Sequence, residues 1–255
     1  MRHDKLVAAA LIALSLCIPL AARAASDEIQ VYTDDINAPG ERGLELHVNT
    51  TPRGRRDAAY EGELPPYQGL RVTPEFSWGW TKTLEAGLYI PMATSAEGNA
   101  YLGGVKGRLK WLPVQGGGWY FGMNGEISNN TRKFSESHLA SELRIMMGYR
   151  ADDWLIGANP IFEWGLSPGY RGSPDFEMAY KAVRKVAEGI SLGAEYYNGY
   201  GKVRQRLPRA EQDRTFYLVM DFDREPWVFN VGIGHGLNSA TDDWTVKAIF
   251  EIPFH

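Results

Sequence analysis

The side chains able to do covalent chemistry in this 255-residue chain are few, and their spacing points away from catalysis. A single cysteine, Cys17, excludes an internal disulfide, and the paired Cys/His spacing of a structural zinc site is absent. Beyond residue 24 the histidines are His47, His138, His235 and His255. A serine nucleophile needs a base within hydrogen-bond reach. His138 neighbours Ser137 and Ser141, and His235 is near Ser239, but neither has the His-x-Ser spacing that puts both side chains on one face of a strand. No His or carboxylate cluster has metal-ligand spacing either. The residues therefore indicate no enzyme, no metal and no cofactor.

What the chain concentrates instead is charge at alternate positions. Lys106, Arg108 and Lys110 form a basic ladder, and Glu85, Glu126, Glu142 and Arg144 hold the same parity on neighbouring segments. Facing a shared interior, these groups could select a small anionic or polar solute, or pair across strands and prop that interior shut. Either use requires a scaffold of period two.

That period dominates the sequence. Leu70, Val72, Phe76, Trp78 and Trp80 alternate with Arg71, Thr73, Glu75, Ser77 and Gly79, and Trp244, Val246, Ala248, Phe250, Ile252 and Phe254 with Thr245, Lys247 and Glu251. The same test predicts strands near 43–51, 69–80, 83–92, 102–112, 118–128, 139–150, 154–165, 175–183, 189–197, 214–223, 227–236 and 244–254. Their connections alternate between longer polar stretches and tight turns such as Thr81-Lys82.

Alternation alone does not choose between a soluble sandwich and a membrane barrel, since both segregate charge to one parity. The aromatic residues do. Trp80, Trp111, Trp119, Trp154 and Trp227 all fall on the apolar parity at the turn-side ends of their strands. Trp collects at the headgroup level of a bilayer, where its apolar body and polar tip are both satisfied.

The N-terminus carries its own signal. Arg2 and Lys5 precede the apolar run from Leu6 to Leu20, and Ala22-Arg23-Ala24 has the small-x-small spacing of a cleavage site. Cleavage after residue 24 leaves 24 basic against 30 acidic groups and no cysteine. Such an acidic chain lacks the electrostatic footprint of a nucleic-acid binder.

The expectation is an all-β protein, an antiparallel transmembrane β-barrel of about 12 strands with short periplasmic turns and longer extracellular loops. Residues 1–24 would be a signal peptide, 25–42 an acidic segment on the periplasmic side, and 43–255 the barrel, with Phe254 closing the last strand as an assembly signal. Arg53, Arg55 and Arg56 in the first long loop would lie near anionic lipopolysaccharide. The expected partners are outer-membrane lipid, lipopolysaccharide, the barrel-assembly machinery and a small solute.

The stretch Glu28-Ile29-Gln30-Val31-Tyr32-Thr33-Asp34-Asp35-Ile36-Asn37-Ala38-Pro39-Gly40, followed by Leu44-Glu45-Leu46-His47-Val48-Asn49, resembles a group of proteobacterial outer-membrane proteins. These are β-barrel porins grouped with phenol-degradation-pathway outer-membrane proteins. The similarity continues through Pro74-Glu75, Gly87-Leu88-Tyr89-Ile90-Pro91 and Ala158-Asn159-Pro160. It implies an exported, cell-outer-membrane barrel with a porin-like transport role, and it transfers no binding residues. A closed surface-interaction barrel and an outer-membrane hydrolase are the alternative readings.

Overall fold

A computed structural model of the chain describes residues 27–252; the expected signal peptide and Phe254 fall outside them. Among these residues every regular element is a strand: β1 (Arg42–Arg53), β2 (Leu70–Thr81), β3 (Leu84–Tyr89), β4 (Met92–Thr94), β5 (Ala100–Leu102), β6 (Gly104–Gly116), β7 (Trp119–Asn130), β8 (Leu139–Arg150), β9 (Trp154–Gly165), β10 (Asp175–Ala187), β11 (Ile190–Lys202), β12 (Gln205–Arg206), β13 (Asp213–Arg224), β14 (Trp227–Gly236) and β15 (Trp244–Ile252). Each wall strand pairs antiparallel with its sequence neighbours, and β15 returns to pair with β1, with Val48 opposite Ala248. The result is a closed barrel whose wall has 12 strands, β4 and β5 continuing β3 and β6 at the rim and β12 folding back on β11. Closure leaves no unpaired edge, which hydrocarbon would not tolerate.

The wall segregates by parity as the alternation requires. On β2, Arg71, Thr73 and Glu75 are buried toward the lumen, whereas Phe76, Trp78 and Trp80 are exposed outward. Trp111, Trp119, Trp154 and Trp227 share that exposure, up to 68% for Trp227, so large aromatics ring the turn-side rim without protein cover. A water-facing surface rarely shows so continuous an apolar band. A second aromatic group marks the loop side of β9–β11: Phe162 packs on Trp164 and Phe176, and Phe176 on Tyr200. Farther along the wall His235 lies over Trp244.

Strand ends differ from the sequence expectation where polar residues continue a hairpin. β10 and β11 pair as far as Ala187 opposite Ile190, because Arg184 and Lys185 extend the ladder after the apolar parity has stopped. The predicted strand over 83–92 breaks after Tyr89, next to Pro91, a residue with no N–H to give the ladder.

Candidate functional site in the lumen

The inward side chains of neighbouring strands meet in two ionic clusters. In the first, in-register pairing sets Glu85 opposite Lys110 and Arg108 opposite Glu126. Arg108 donates to Glu75 through Nε at 2.7 Å and to Glu85 through Nη2 at 2.7 Å, and Lys110 lies 3.6 Å from Glu85. The second cluster joins Lys247 to Glu195 and Lys181 to Asp221, the latter at 2.9 Å. Lys247 and Glu195 are almost wholly buried. Charges so enclosed are tolerated only when paired and hydrogen-bonded.

The lumen is not lined by charge alone. Leu112, Tyr120, Met146, Leu155 and Val183 form an apolar floor toward the turn side, Tyr217 and Val219 continue it to mid-height, and Tyr32 belongs to the same buried cluster. Tyr32 comes from the segment expected on the periplasmic side. Its described part, residues 27–39, instead runs inside the barrel before the chain turns at Gly40 into β1. The physical reason is complementarity: Val31 and Tyr32 are 4% exposed on apolar wall side chains, and the acids beside them meet wall cations.

Residues 28–33 form no helix, turn or ladder, so their backbone groups need wall partners. Asn159 supplies two, accepting from Tyr32 N–H at 2.7 Å and donating to Tyr32 C=O at 3.0 Å. Arg144 donates to Gln30 C=O at 2.9 Å, Lys247 to Ile29 C=O at 3.0 Å, and Asn49 to Asp27 C=O at 3.1 Å. Lower down, Lys110 donates to Asp35 C=O at 3.2 Å and Asn37 N–H donates to Glu85 at 2.7 Å. Side chains complete the fit. Lys106 pairs with Asp27 at 3.2 Å and with Glu28, Arg150 pairs with Asp34, and the Tyr32 and Tyr89 hydroxyls are 2.7 Å apart.

The sequence-selected lumen residues are thus brought together, in partnerships the linear chain hid. Lys106, Arg108, Lys110 and Glu85 surround the first cluster; Glu126 lies 3.8 Å from Lys106, and Glu142 accepts from Arg144 at 3.0 Å. Sequence reasoning placed Glu75 on the inward parity without choosing it for the site, and missed Tyr89, Asn159 and Tyr32. It also missed that β1 and β2 place Glu45, His47 and Glu75 together, with donor atoms within 4.8 Å of one another. His47 Nε2 is 3.2 Å from Glu75, held there as a hydrogen-bonded wall residue. His138 and His235 are engaged through Nδ1 with the carbonyls of Asn130 and Asp243.

Above the lumen, the first long loop folds toward the barrel mouth. Leu64 packs with Ala93 and Phe134, Leu64 N–H donates to Lys133 C=O at 3.0 Å, and Arg132 donates to Glu61 C=O at 3.0 Å. Of the three arginines expected near lipopolysaccharide, Arg53 ends β1 and is exposed, Arg55 donates to Glu63 at 2.7 Å, and Arg56 is exposed with its guanidinium over the Tyr67 ring.

Closed antiparallel wall, outward aromatic ring and charged interior define an outer-membrane-type β-barrel. The sequence matches no protein-family profile and no curated protein. Among solved structures, the barrel is similar to the COG4313 outer membrane channel from Pseudomonas putida F1, with a TM-score of 0.61 at 10% identity over 89% of this chain and 100% of that one. It is also similar to the KdgM porin in complex with disordered oligogalacturonate, with a TM-score of 0.55 at 8% identity over 84% and 100%. The NanC porin gives a TM-score of 0.55 at 9% identity over 83% and 100%. Likeness at such identities is a likeness of fold.

Proposed function

We propose that this protein is a passive channel of the outer membrane for a small polar solute, closed in the described state by its own residues 27–39. One observation carries the reading: the chain inside the barrel is a separate stretch docked on side chains, not part of the wall ladder. The wall strands pair with one another throughout, so the segment can leave without breaking a wall hydrogen bond. The channel and porin folds named above support the same reading. Passage would be diffusion past the Lys106, Arg108 and Lys110 ladder and the carboxylates facing it, with no chemical step.

The test is planar-bilayer recording of the full chain beside the variant Asp27→Asn/Glu28→Gln/Asp34→Asn, which removes the segment's carboxylates from Lys106 and the nearer of its two from Arg150, leaving Asp35 at 3.6 Å. Discrete conductance steps are expected from both, with a larger open fraction in the variant. Electrical silence of both proteins in several salts, with the barrel intact, would overturn the channel and leave a closed structural barrel.

A further inference from the structure

The contacts that hold residues 27–37 share a chemical character. Most of their hydrogen bonds to the wall address the peptide main chain, while the ion pairs and the cations over the Tyr32 ring address side chains. Asn49, Lys110, Arg144, Asn159 and Lys247 donate to the carbonyls of Asp27, Asp35, Gln30, Tyr32 and Ile29, while Asn159 and Glu85 accept from the N–H groups of Tyr32 and Asn37. The two-point grip of Asn159 on one residue's N–H and C=O is a pattern that any residue but proline can satisfy, whatever its side chain. Around it the wall places cations, Lys106 and Arg150, where the segment carries Asp27, Glu28 and Asp34. Asn159 and Lys247 are buried almost completely, as groups built to grip a ligand are. Wall donors therefore lie at successive heights of the lumen, spaced for an open peptide backbone with acids near its ends.

We propose that the lumen is a binding track for extended acidic oligopeptides, and that residues 27–37 occupy it as a tethered stand-in for such a solute. The proposal rests on the channel reading above and names its solute class. A free peptide would enter as the segment withdraws, lay its carbonyls on Arg144, Asn159 and Lys247, and set its carboxylates against Lys106 and Arg150. Binding is noncovalent and sequence-tolerant, as main-chain recognition is in other peptide-binding proteins.

The experiment is current block in planar bilayers, using a variant lacking residues 27–38. Should that variant fail to assemble, the full-length Asp27→Asn/Glu28→Gln/Asp34→Asn protein takes its place. Three probes are added: a synthetic peptide with the sequence of residues 27–37, a peptide with the same acidic positions but its uncharged side chains permuted, and tetragalacturonate, which matches the four carboxylates of the segment. Both peptides should block within several-fold of each other, tetragalacturonate should block far less, and Asn159→Ala should weaken peptide block about tenfold through the lost main-chain bonds. Block by the native sequence alone would confine the track to its own segment and overturn the proposal. Equal block by tetragalacturonate would make carboxylates, not the main chain, the recognised feature, and overturns it too. Conductance steps that no peptide blocks refute the track but leave the channel standing, whereas absence of steps from either protein refutes the channel and the track together.

Discussion

Tyr32 is the residue on which docking of the inner segment should depend most, and its contribution can be worked out in two stages. Its hydroxyl lies 2.7 Å from that of Tyr89, and Tyr89 is 0% exposed. Tyr32→Phe removes one hydrogen bond and strands a buried hydroxyl, a loss of about 1–2 kcal/mol, or roughly tenfold in the docking equilibrium. Tyr32→Ala also removes a ring that packs on the apolar floor and lies 4.4 Å below the Arg144 guanidinium. Truncating a buried aromatic costs about 3–5 kcal/mol, so undocking should rise by more than a hundredfold. The assay is maleimide labelling of Thr33→Cys in a Cys17→Ser background, since Thr33 is 8% exposed when the segment is docked. Labelling then tracks the open population when opening and closing are fast. Heat-modifiability on a gel reports in parallel that the wall is intact. Labelling rates for Tyr32→Ala within about threefold of the parent would mean that the segment is not held by this docking, and the closed-channel account would fail.

Other consequences follow from the same structure. Lys247→Met strands the buried Glu195 carboxylate, which Lys181 at 3.6 Å only partly compensates, so detergent stability should fall by about 3 kcal/mol and be largely restored by adding Glu195→Gln; an unchanged thermal midpoint in the single variant would contradict the buried pair. Trp227→Ala removes an outward, 68% exposed ring, and should leave micellar stability unaltered while lowering stability in lipid vesicles by about 2 kcal/mol; equal urea midpoints for variant and parent in vesicles would count against lipid contact at that rim. Arg132→Ala breaks its bonds to Glu61 and Glu136 carbonyls and the Tyr170 hydroxyl, so trypsin should cut the first long loop several-fold faster with the barrel protected. Unchanged cleavage would show that the two loops are not mutually braced.

The wall was legible because its side chains repeat the wall's own geometry. β8, β9 and β14 begin and end where alternation alone places them, at 139–150, 154–165 and 227–236. Trp80, Trp111, Trp119, Trp154 and Trp227 mark one rim since a bilayer interface imposes a residue type as well as a parity. The β10–β11 hairpin ran past its expected ends because Arg184 and Lys185 interrupt the apolar alternation, while the backbone ladder continues without it. The lumen was legible only as a list. Which of its charges meet is fixed by register across strands far apart in sequence, as with Arg108 reaching Glu75 over 33 positions. Residues 27–39 were hardest to place. An open segment that satisfies its backbone on other elements has no period of its own, and its acids read equally well as a solvated lead-in. The signal that could have located it was the pairing of Tyr32 with inward Leu112, Met146, Leu155 and Val183, and of Val31 with inward Ile161 and Ala179, apolar residues on a parity otherwise given to charge.

The inner segment also sets the charge seen by a permeating ion. The inward wall residues picked out by parity are ten acidic groups (Glu45, Glu75, Glu85, Glu126, Glu142, Glu163, Glu177, Glu195, Asp221, Glu251) and eight basic ones (Arg71, Lys106, Arg108, Lys110, Arg144, Arg150, Lys181, Lys247). Residues 27–37 add four acids and no base, so this set carries a net −6 with the segment docked and −2 with it gone. In a narrow low-dielectric passage a fixed charge of one sign concentrates counter-ions. Docked protein that still leaks should therefore prefer cations, and loss of the segment should weaken that preference as Lys106 and Arg150 lose their carboxylates. Reversal potentials across a potassium chloride gradient measure this directly: the variant lacking residues 27–38 should reverse closer to zero than the full chain. A shift toward stronger cation preference on deletion would show that the segment's acids do not face the conducting path, and that its carboxylates serve only to dock it.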